Sequence, residues 1–147
     1  AELLVETLML FEAKINDKHL EVDAQLPEDP MTVCGDKDAI NQVMYNLLEN
    51  AVKFSEPGSE LGVALFKQNG KAYVSVKNHG ETIPEEELPF IFDRFHKADR
   101  SRSKDTEGVG LGLYIVKMII NRHGEDIFVT SENGVTRFEF TLTLKNS

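Results

Sequence analysis

Asn46, Asn50 and Lys53 stand in a segment, 37–54, whose apolar residues Ile40, Val43, Met44, Leu47, Leu48, Ala51 and Val52 recur at the spacing of a helix with one buried face. At about 100° per residue the three polar side chains fall within an arc of about 60°, bordering the apolar face near Leu47 and Ala51. A carboxamide offers a carbonyl oxygen to a hard cation such as Mg²⁺ without adding charge, and an ammonium one turn away suits a phosphate oxygen. The plain alternative is a pair of boundary asparagines bonded to loop backbone, and the stripe alone does not choose between the two.

A second candidate is the run Gly108-Val109-Gly110-Leu111-Gly112-Leu113, which leads into an apolar helix at Tyr114 to Ile120. Glycines at a helix entrance let backbone N–H groups approach an anion, although the same run also suits a tight loop-to-helix junction. It does not follow a strand, as a dinucleotide-binding GxGxxG does, and it lacks the GK[ST] of a P-loop. It follows residues 93–108, which show no hydrophobic period and hold Arg94, Lys97, Arg100, Arg102 and Lys104. A loop of this length in a compact domain is more often a functional lid than a connector, with a basic solvated loop as the alternative.

The elements that must position these groups alternate between helix and strand. Glu2 to Lys14 reads as an amphipathic helix through Leu4, Leu8 and Phe11, and His19 to Leu26 as a short strand before the Pro27 to Pro30 turn. Asp36 can cap the helix of the polar stripe, and Glu56-Pro57-Gly58-Ser59 ends it. Alternating runs at Leu61 to Lys67 and Ala72 to Lys77 flank Asn69-Gly70, a hairpin signal. Pro84 and Glu85 to Glu87 open a short helix ending near Phe92. Arg122, His123 and Gly124 stop the helix after the glycine run, and strands at about 126–131 and 136–144 close the chain around Asn133-Gly134. The layout is α+β, in one domain.

Composition narrows the function classes. The chain has 147 residues, 41% hydrophobic and 28% charged, the mix of an ordinary globular domain. A net charge of -9 argues against nucleic acid or an anionic membrane as the main partner, because a phosphate lattice repels an acidic face. Cys34 is the single cysteine, which rules out an internal disulfide, and it is expected in the core. No CxxC or Cys/His cluster offers a zinc site. No apolar run approaches the roughly 18 residues of a membrane span and no signal pattern opens the chain, so a cytoplasmic domain is expected.

Taken in order, NLLENAVKF, NHGETIP, IFDRFHKADRS, GVGLGLYIVK and GVTRFEFTL resemble the N, G1, F, G2 and G3 boxes of the catalytic ATP-binding domain of bacterial sensor histidine kinases, in the GHKL superfamily. The resemblance covers about Val22 to Leu144. It implies a two-layer α/β sandwich of the Bergerat type, with three main helices on a mixed sheet of about five strands and ATP held beneath a flexible lid at 93–108. Residues 1–16 would be a helix leading from a phosphoacceptor domain.

By position, Asn50 resembles the Mg²⁺-ligating asparagine, Asn46 its partner one turn earlier, and Lys53 the phosphate-contacting lysine. Phe54 is similar to the aromatic beside the nucleotide. His96 and Lys97 match lid positions that meet the ribose or phosphates, although lysine lacks the bidentate fork of the arginine common there. Gly108, Gly110 and Gly112, with the N–H groups of Leu111 and Leu113, resemble the triphosphate cradle. Gly80 and Ile83 of the second block and Thr136 of the last would lie near the base. Phe92 and Phe95 resemble the F-box anchors, or pack as plain core.

One block departs from the pattern. The usual DxGxG aspartate accepts the adenine amine, and here the matching residues are Asn78, Gly80 and Thr82. Asn78 can still accept, at a cost on the order of 1 kcal/mol for the lost charge. A β-branched Thr82 resists φ > 0, so the loop is expected to take another path.

The resemblance implies transfer of the ATP γ-phosphoryl group to a histidine in a separate dimerisation domain, with Asn46, Asn50, Lys53 and Lys97 in the catalytic roles. A response regulator would be served through the full-length kinase, itself anchored in the membrane or not. The rival is a scaffolding domain with weak ATP binding. A self-contained ATPase is less favoured, because related hydrolases place a glutamate where this chain has Asn46, and Glu49 lies about 100° from Asn50 around the helix. None of His19, His79, His96 and His123 sits in an acceptor motif. The domain itself is expected to be monomeric.

Overall fold

The computed structural model describes residues 1–93 and 109–145, with the backbone alone at 109–111. Helix α1 spans Glu2–Leu10, α2 Glu12–Asp17, α3 Lys37–Phe54 and α4 Val109–Arg122; strands are β1 Glu21–Gln25, β2 Glu60–Gln68, β3 Lys71–His79, β4 Ile127–Glu132 and β5 Val135–Thr143. Among the described residues the strands form one sheet in the order β1-β2-β3-β5-β4. β1 runs parallel to β2 and the remaining pairs are antiparallel, so the sheet is mixed, as expected.

Period-two patterning decides which face is covered. Leu61, Val63 and Leu65 of β2, Ala72, Val74 and Val76 of β3, and Phe138, Phe140 and Leu142 of β5 are buried beneath the helices. On the opposite face Phe66 stacks on its cross-strand partner Tyr73, with ring centroids 5.2 Å apart, and Phe128 stays exposed. The result is two layers, with α3 packed between α1 and α4. Both hairpins turn on Asn-Gly pairs with positive φ, 51° and 77° at Asn69 and Gly70, 51° and 80° at Asn133 and Gly134. Such turns match the strand twist and fix the register.

The helix of the polar stripe starts and ends where its sequence predicts. Asp36 caps it by accepting the N–H groups of Asp38 and Ala39, and its apolar face, from Ile40 to Val52, is buried. His123 fastens this start to the end of α4: its Nε2 accepts the Asp36 N–H (3.1 Å), so Nδ1 carries the proton donated to the Ile119 carbonyl (2.9 Å).

Four expectations need correction. The single helix over Glu2 to Lys14 breaks at Phe11 (φ -103°, ψ 8°), whose ring is buried 5.0 Å from that of Tyr45. The segment after Pro84 is a 3-10 helix, Glu85–Phe90, with Pro89 inside it. α4 begins at Val109, within the glycine run rather than after it. Cys34 is exposed; its backbone N–H, donating to the Thr143 carbonyl, is what ties it down. The basic loop with Arg94, Phe95, His96, Lys97, Arg100, Arg102, Lys104 and Gly108 lies outside the described residues. Among the described residues no helix is long and apolar enough to cross a membrane.

A buried charge secures the far end of the sheet. The Glu125 side chain, 4% exposed, accepts from Lys71 Nζ (2.8 Å), Thr141 Oγ1 (2.8 Å) and Thr143 Oγ1 (2.6 Å). Burial pushes its carboxyl up, but those hydrogen bonds and the Lys71 charge outweigh burial and hold it below the usual range. A carboxylate held low stabilises the fold above the unfolded value of about 4.3, and that contribution is lost as pH falls through the folded value. Glu125→Gln is therefore expected to cost about 1–3 kcal/mol at pH 7 and to approach wild type below about pH 4, read from urea unfolding across pH. A gap independent of pH would mean that Glu125 is not ionised in the folded chain.

Candidate nucleotide site

The stripe on α3 opens onto a cleft of about 420 Å³. Lys14 and Asp17 line it from α2 and Lys18 from just past its end, Asn46, Glu49, Asn50 and Lys53 from α3, and Gly112 and Leu113 from α4. The two asparagines differ in what they do. Asn46 is a clasp: its Nδ2 donates to the Gly112 carbonyl (3.2 Å) and its Oδ1 accepts from Gln42 Nε2 (2.8 Å), locking α3 to the first turn of α4. Asn50, half-buried one turn on, has no hydrogen-bond partner among the described residues, which leaves its carbonyl oxygen available in the cleft. Lys53 Nζ lies 5.9 Å from the Phe54 ring centroid.

The entrance of α4 supplies the donors. Its first backbone N–H groups, at 109–111, have no partner within the helix and lie at the positive end of its dipole. Because the helix starts early, the Leu113 N–H falls within the intrahelical ladder, so of the two amides expected to cradle phosphates only that of Leu111 is free of it.

Lys18 holds the other end of α3. Its Nζ donates to the carbonyls of Val52 (2.8 Å), Lys53 (2.7 Å) and Ser55 (3.0 Å), meeting the negative end of the helix with an ammonium. Burial lowers its pKa. Ser55 Oγ adds a bond to the Ala51 carbonyl (2.6 Å). Lys53 and Phe54 therefore project from a backbone held by several independent bonds.

A second polar cluster lies at the end of the sheet. Asn78, Thr136 and Ser131 are cross-strand neighbours on β3, β5 and β4, 4%, 5% and 8% exposed. Residues directly paired across a ladder point to one face, so the three form a row continuing the apolar core. Ser131 Oγ accepts the Ile83 N–H (2.8 Å) and pairs with Thr136 Oγ1 (2.8 Å). The Asn78 carboxamide has no partner among the described residues. Left so, a buried amide costs about 1–3 kcal/mol, which a ligand with a complementary edge would offset.

The loop after Asn78 is held by hydrogen bonds to the β4–β5 turn. Thr82 has no positive φ, and its hydroxyl accepts the Gly134 N–H (2.6 Å), while Gly80 N–H donates to the Gly134 carbonyl (2.7 Å). Thr82 thus avoids the positive φ that its β-branched side chain resists. A Cβ on Gly80 would overlap the Phe54 carbonyl oxygen, so this glycine is needed where β3 meets the end of α3.

Thus Asn46, Asn50, Lys53, Gly112 and Leu113 gather at one cleft, and Asn78, Gly80, Ile83 and Thr136 gather at the sheet end, with Phe54 at the junction. His96, Lys97 and Gly108 lie outside the described residues. Gln42, Lys18 and Ser131 were not singled out by sequence. Only Ser131 had a signal, since the two-residue Asn133-Gly134 turn sets it opposite Thr136.

A family profile described as histidine kinase-, DNA gyrase B-, and HSP90-like ATPase matches residues 35–146. The sensor histidine kinase YkoH of Bacillus subtilis (strain 168) is 39% identical over 107 residues, 73% of this chain and 23% of YkoH. Sensor histidine kinase WalK of the same organism is 36% identical over 132 residues, 88% of this chain and 22% of WalK. The chain thus spans less than a quarter of the length of these curated relatives. The catalytic domain of histidine kinase ThkA is similar in structure, with a TM-score of 0.84 and 30% identity over 97% of this chain and 90% of that one. ThkA in complex with the response regulator protein TrrA gives a TM-score of 0.81 and 27% identity, over 98% of this chain and 40% of that one. A family match over most of the chain, together with a mixed sheet and helices that superpose on a histidine kinase catalytic domain, leaves one assignment: the chain belongs to the histidine kinase-, DNA gyrase B- and HSP90-like ATPase family, as a catalytic ATP-binding domain of the sensor histidine kinase type.

Proposed function

We propose that this domain binds Mg-ATP and delivers the γ-phosphoryl group to a histidine of a separate dimerisation domain in the same kinase, from which a response regulator is served. The observation that carries it is the contrast within the stripe: Asn46 is committed to holding two helices together, whereas Asn50 keeps its carboxamide without a partner among the described residues, in a cleft shared with Lys53. Among the described residues no group of three His, Cys, Asp or Glu side chains could cage a metal. The donor set therefore fits Mg²⁺ taken up with the nucleotide, through one amide oxygen and the phosphates. Bound there, the ion would neutralise charge on the phosphate oxygens.

The chain's own residues orient and screen. Lys53 pairs with a phosphate oxygen, the free N–H groups of α4 take others, and Lys97 of the lid completes the screening. Asn46 sits where a hydrolase needs a base, and an amide is none, which favours a nucleophilic imidazole as acceptor over water. The acceptor histidine is assigned to that separate domain; within this chain His79 Nδ1–H donates to the Glu60 carbonyl and His123 is bonded at both ring nitrogens. Support for the response regulator comes from ThkA, which has been crystallised with one. Residues 1–16 suit the approach from the dimerisation domain, and the domain would act at the cytoplasmic side as a monomer. A purely scaffolding role is disfavoured by Asn78, since a chain relieved of nucleotide gains nothing from a buried unpaired amide.

Calorimetry with ATP, with and without Mg²⁺, tests this directly. Binding that tightens with Mg²⁺ is expected. No heat at millimolar Mg-ATP would sink the proposal, and rapid phosphate release without an acceptor would replace it by an ATPase.

A further inference from the structure

We propose that Asn78 makes the base pocket permissive, so that 6-oxopurine nucleoside triphosphates, of which the inosine nucleotide is the simplest, bind alongside ATP. The inference rests on the nucleotide reading above and adds the substrate class.

Asn78 is 4% exposed and its carboxamide has no partner among the described residues. Its polar neighbours are already occupied with one another: Thr136 Oγ1 pairs with Ser131 Oγ, and Ser131 Oγ also takes the Ile83 N–H. The Thr82 hydroxyl is engaged by the Gly134 N–H. Nothing among these groups dictates which way the amide faces. Beside it Gly80 has no side chain; a Cβ built there would stand 3.6 Å from Asn78 Nδ2.

An aspartate at this place would be an acceptor only. It would match the exocyclic amine of adenine and face the O6 of a 6-oxopurine as one electronegative oxygen against another. A carboxamide carries both functions on one plane, and half a turn about its last bond exchanges them. With Oδ1 forward it accepts from the adenine N6 amine. With Nδ2 forward it donates to O6, while Oδ1 can take the N1–H of the same base. The two purine edges thus meet the same residue with their polar groups paired, and the charge that would separate them is missing.

Titration calorimetry of the chain with Mg-ATP and with Mg-ITP, for wild type and Asn78→Asp, decides the matter. The wild-type dissociation constants are expected to lie within about tenfold of each other, and N78D to widen the ratio by about tenfold or more, tightening ATP and weakening ITP. A wild-type preference for ATP of about 100-fold or more, or a ratio that N78D leaves unchanged, would overturn the inference while sparing ATP binding. If neither nucleotide binds, the nucleotide reading falls with it. The wild-type ratio stands as a test even if N78D fails to fold.

Discussion

Exchange of Asn50 for alanine is expected to weaken Mg²⁺-dependent ATP binding by about 10–100-fold and phosphoryl transfer by on the order of 100-fold, while the melting temperature stays within about 2 °C of wild type. The separation follows from what the side chain touches. Asn50 is half-buried and has no hydrogen-bond partner among the described residues, so its removal breaks no bond and leaves no buried group orphaned. Substitutions of that kind usually stay within about 0.5 kcal/mol. The neighbouring Asn46 offers no such separation, because its amide joins Gln42 and Gly112 across two helices and its loss would disturb fold and site together. Thermal melts and calorimetry with and without Mg²⁺ read the two effects independently. If Asn50→Ala binds Mg-ATP as wild type does, the amide is not the ligand of the metal and the stripe is a boundary feature after all.

How much of this was legible in the sequence depends on the range of the force concerned. The bounds of α3 follow from a capping aspartate, a helical apolar period and a turn at its end, all local, and the structure reproduces them. Both hairpin registers follow from Asn-Gly pairs in the same way. The break at Phe11 does not: the periodicity runs on through it, and the ring it buries there packs on Tyr45, 34 positions away in the chain (45 less 11). The early start of α4 also runs against local preference, since each glycine costs a helix about 1 kcal/mol relative to alanine; part of what offsets it is Asn46, which holds the Gly112 carbonyl from another helix.

The site shows the same division. The residue types at 46, 50 and 53 suggest an edge suited to phosphate and metal, but the difference between Asn46, a clasp, and Asn50, unpartnered among the described residues, depends on where α4 crosses α3. Lys18 carried no signal at all, because its acceptors are three carbonyls at the end of a helix that begins 19 residues later (37 less 18). The avoidance of positive φ at Thr82 follows from its β-branched side chain, a local property, whereas the bond its hydroxyl accepts from the Gly134 N–H depends on where the β4–β5 turn lies and is one a glycine could not make.

The cleft beside α3 and the polar row at the sheet end are built on different layers, and they meet where the last turn of α3 abuts the end of β3. That junction is the reason to expect Gly80→Ala to be strongly destabilising. The added Cβ would overlap the Phe54 carbonyl oxygen and lie 3.5 Å from its carbonyl carbon, both backbone atoms, so no rotamer can relieve it. Neither side is free to move. Phe54 belongs to the helix end whose carbonyls Lys18 binds, Glu56 N–H donates to the His79 carbonyl (2.9 Å), and Gly80 N–H is held by Gly134 (2.7 Å). Overpacking against yielding side chains costs about 1–3 kcal/mol; against pinned backbone about 3 kcal/mol or more is expected, a fall in melting temperature of about 6–12 °C for a domain of this size. Nucleotide affinity should fall with it, because relief of the clash must part Asn78 from Lys53 and Phe54. A normal melting temperature for Gly80→Ala would show that the helix end and the strand end are not joined as described, and the two halves of the site could then no longer be treated as one.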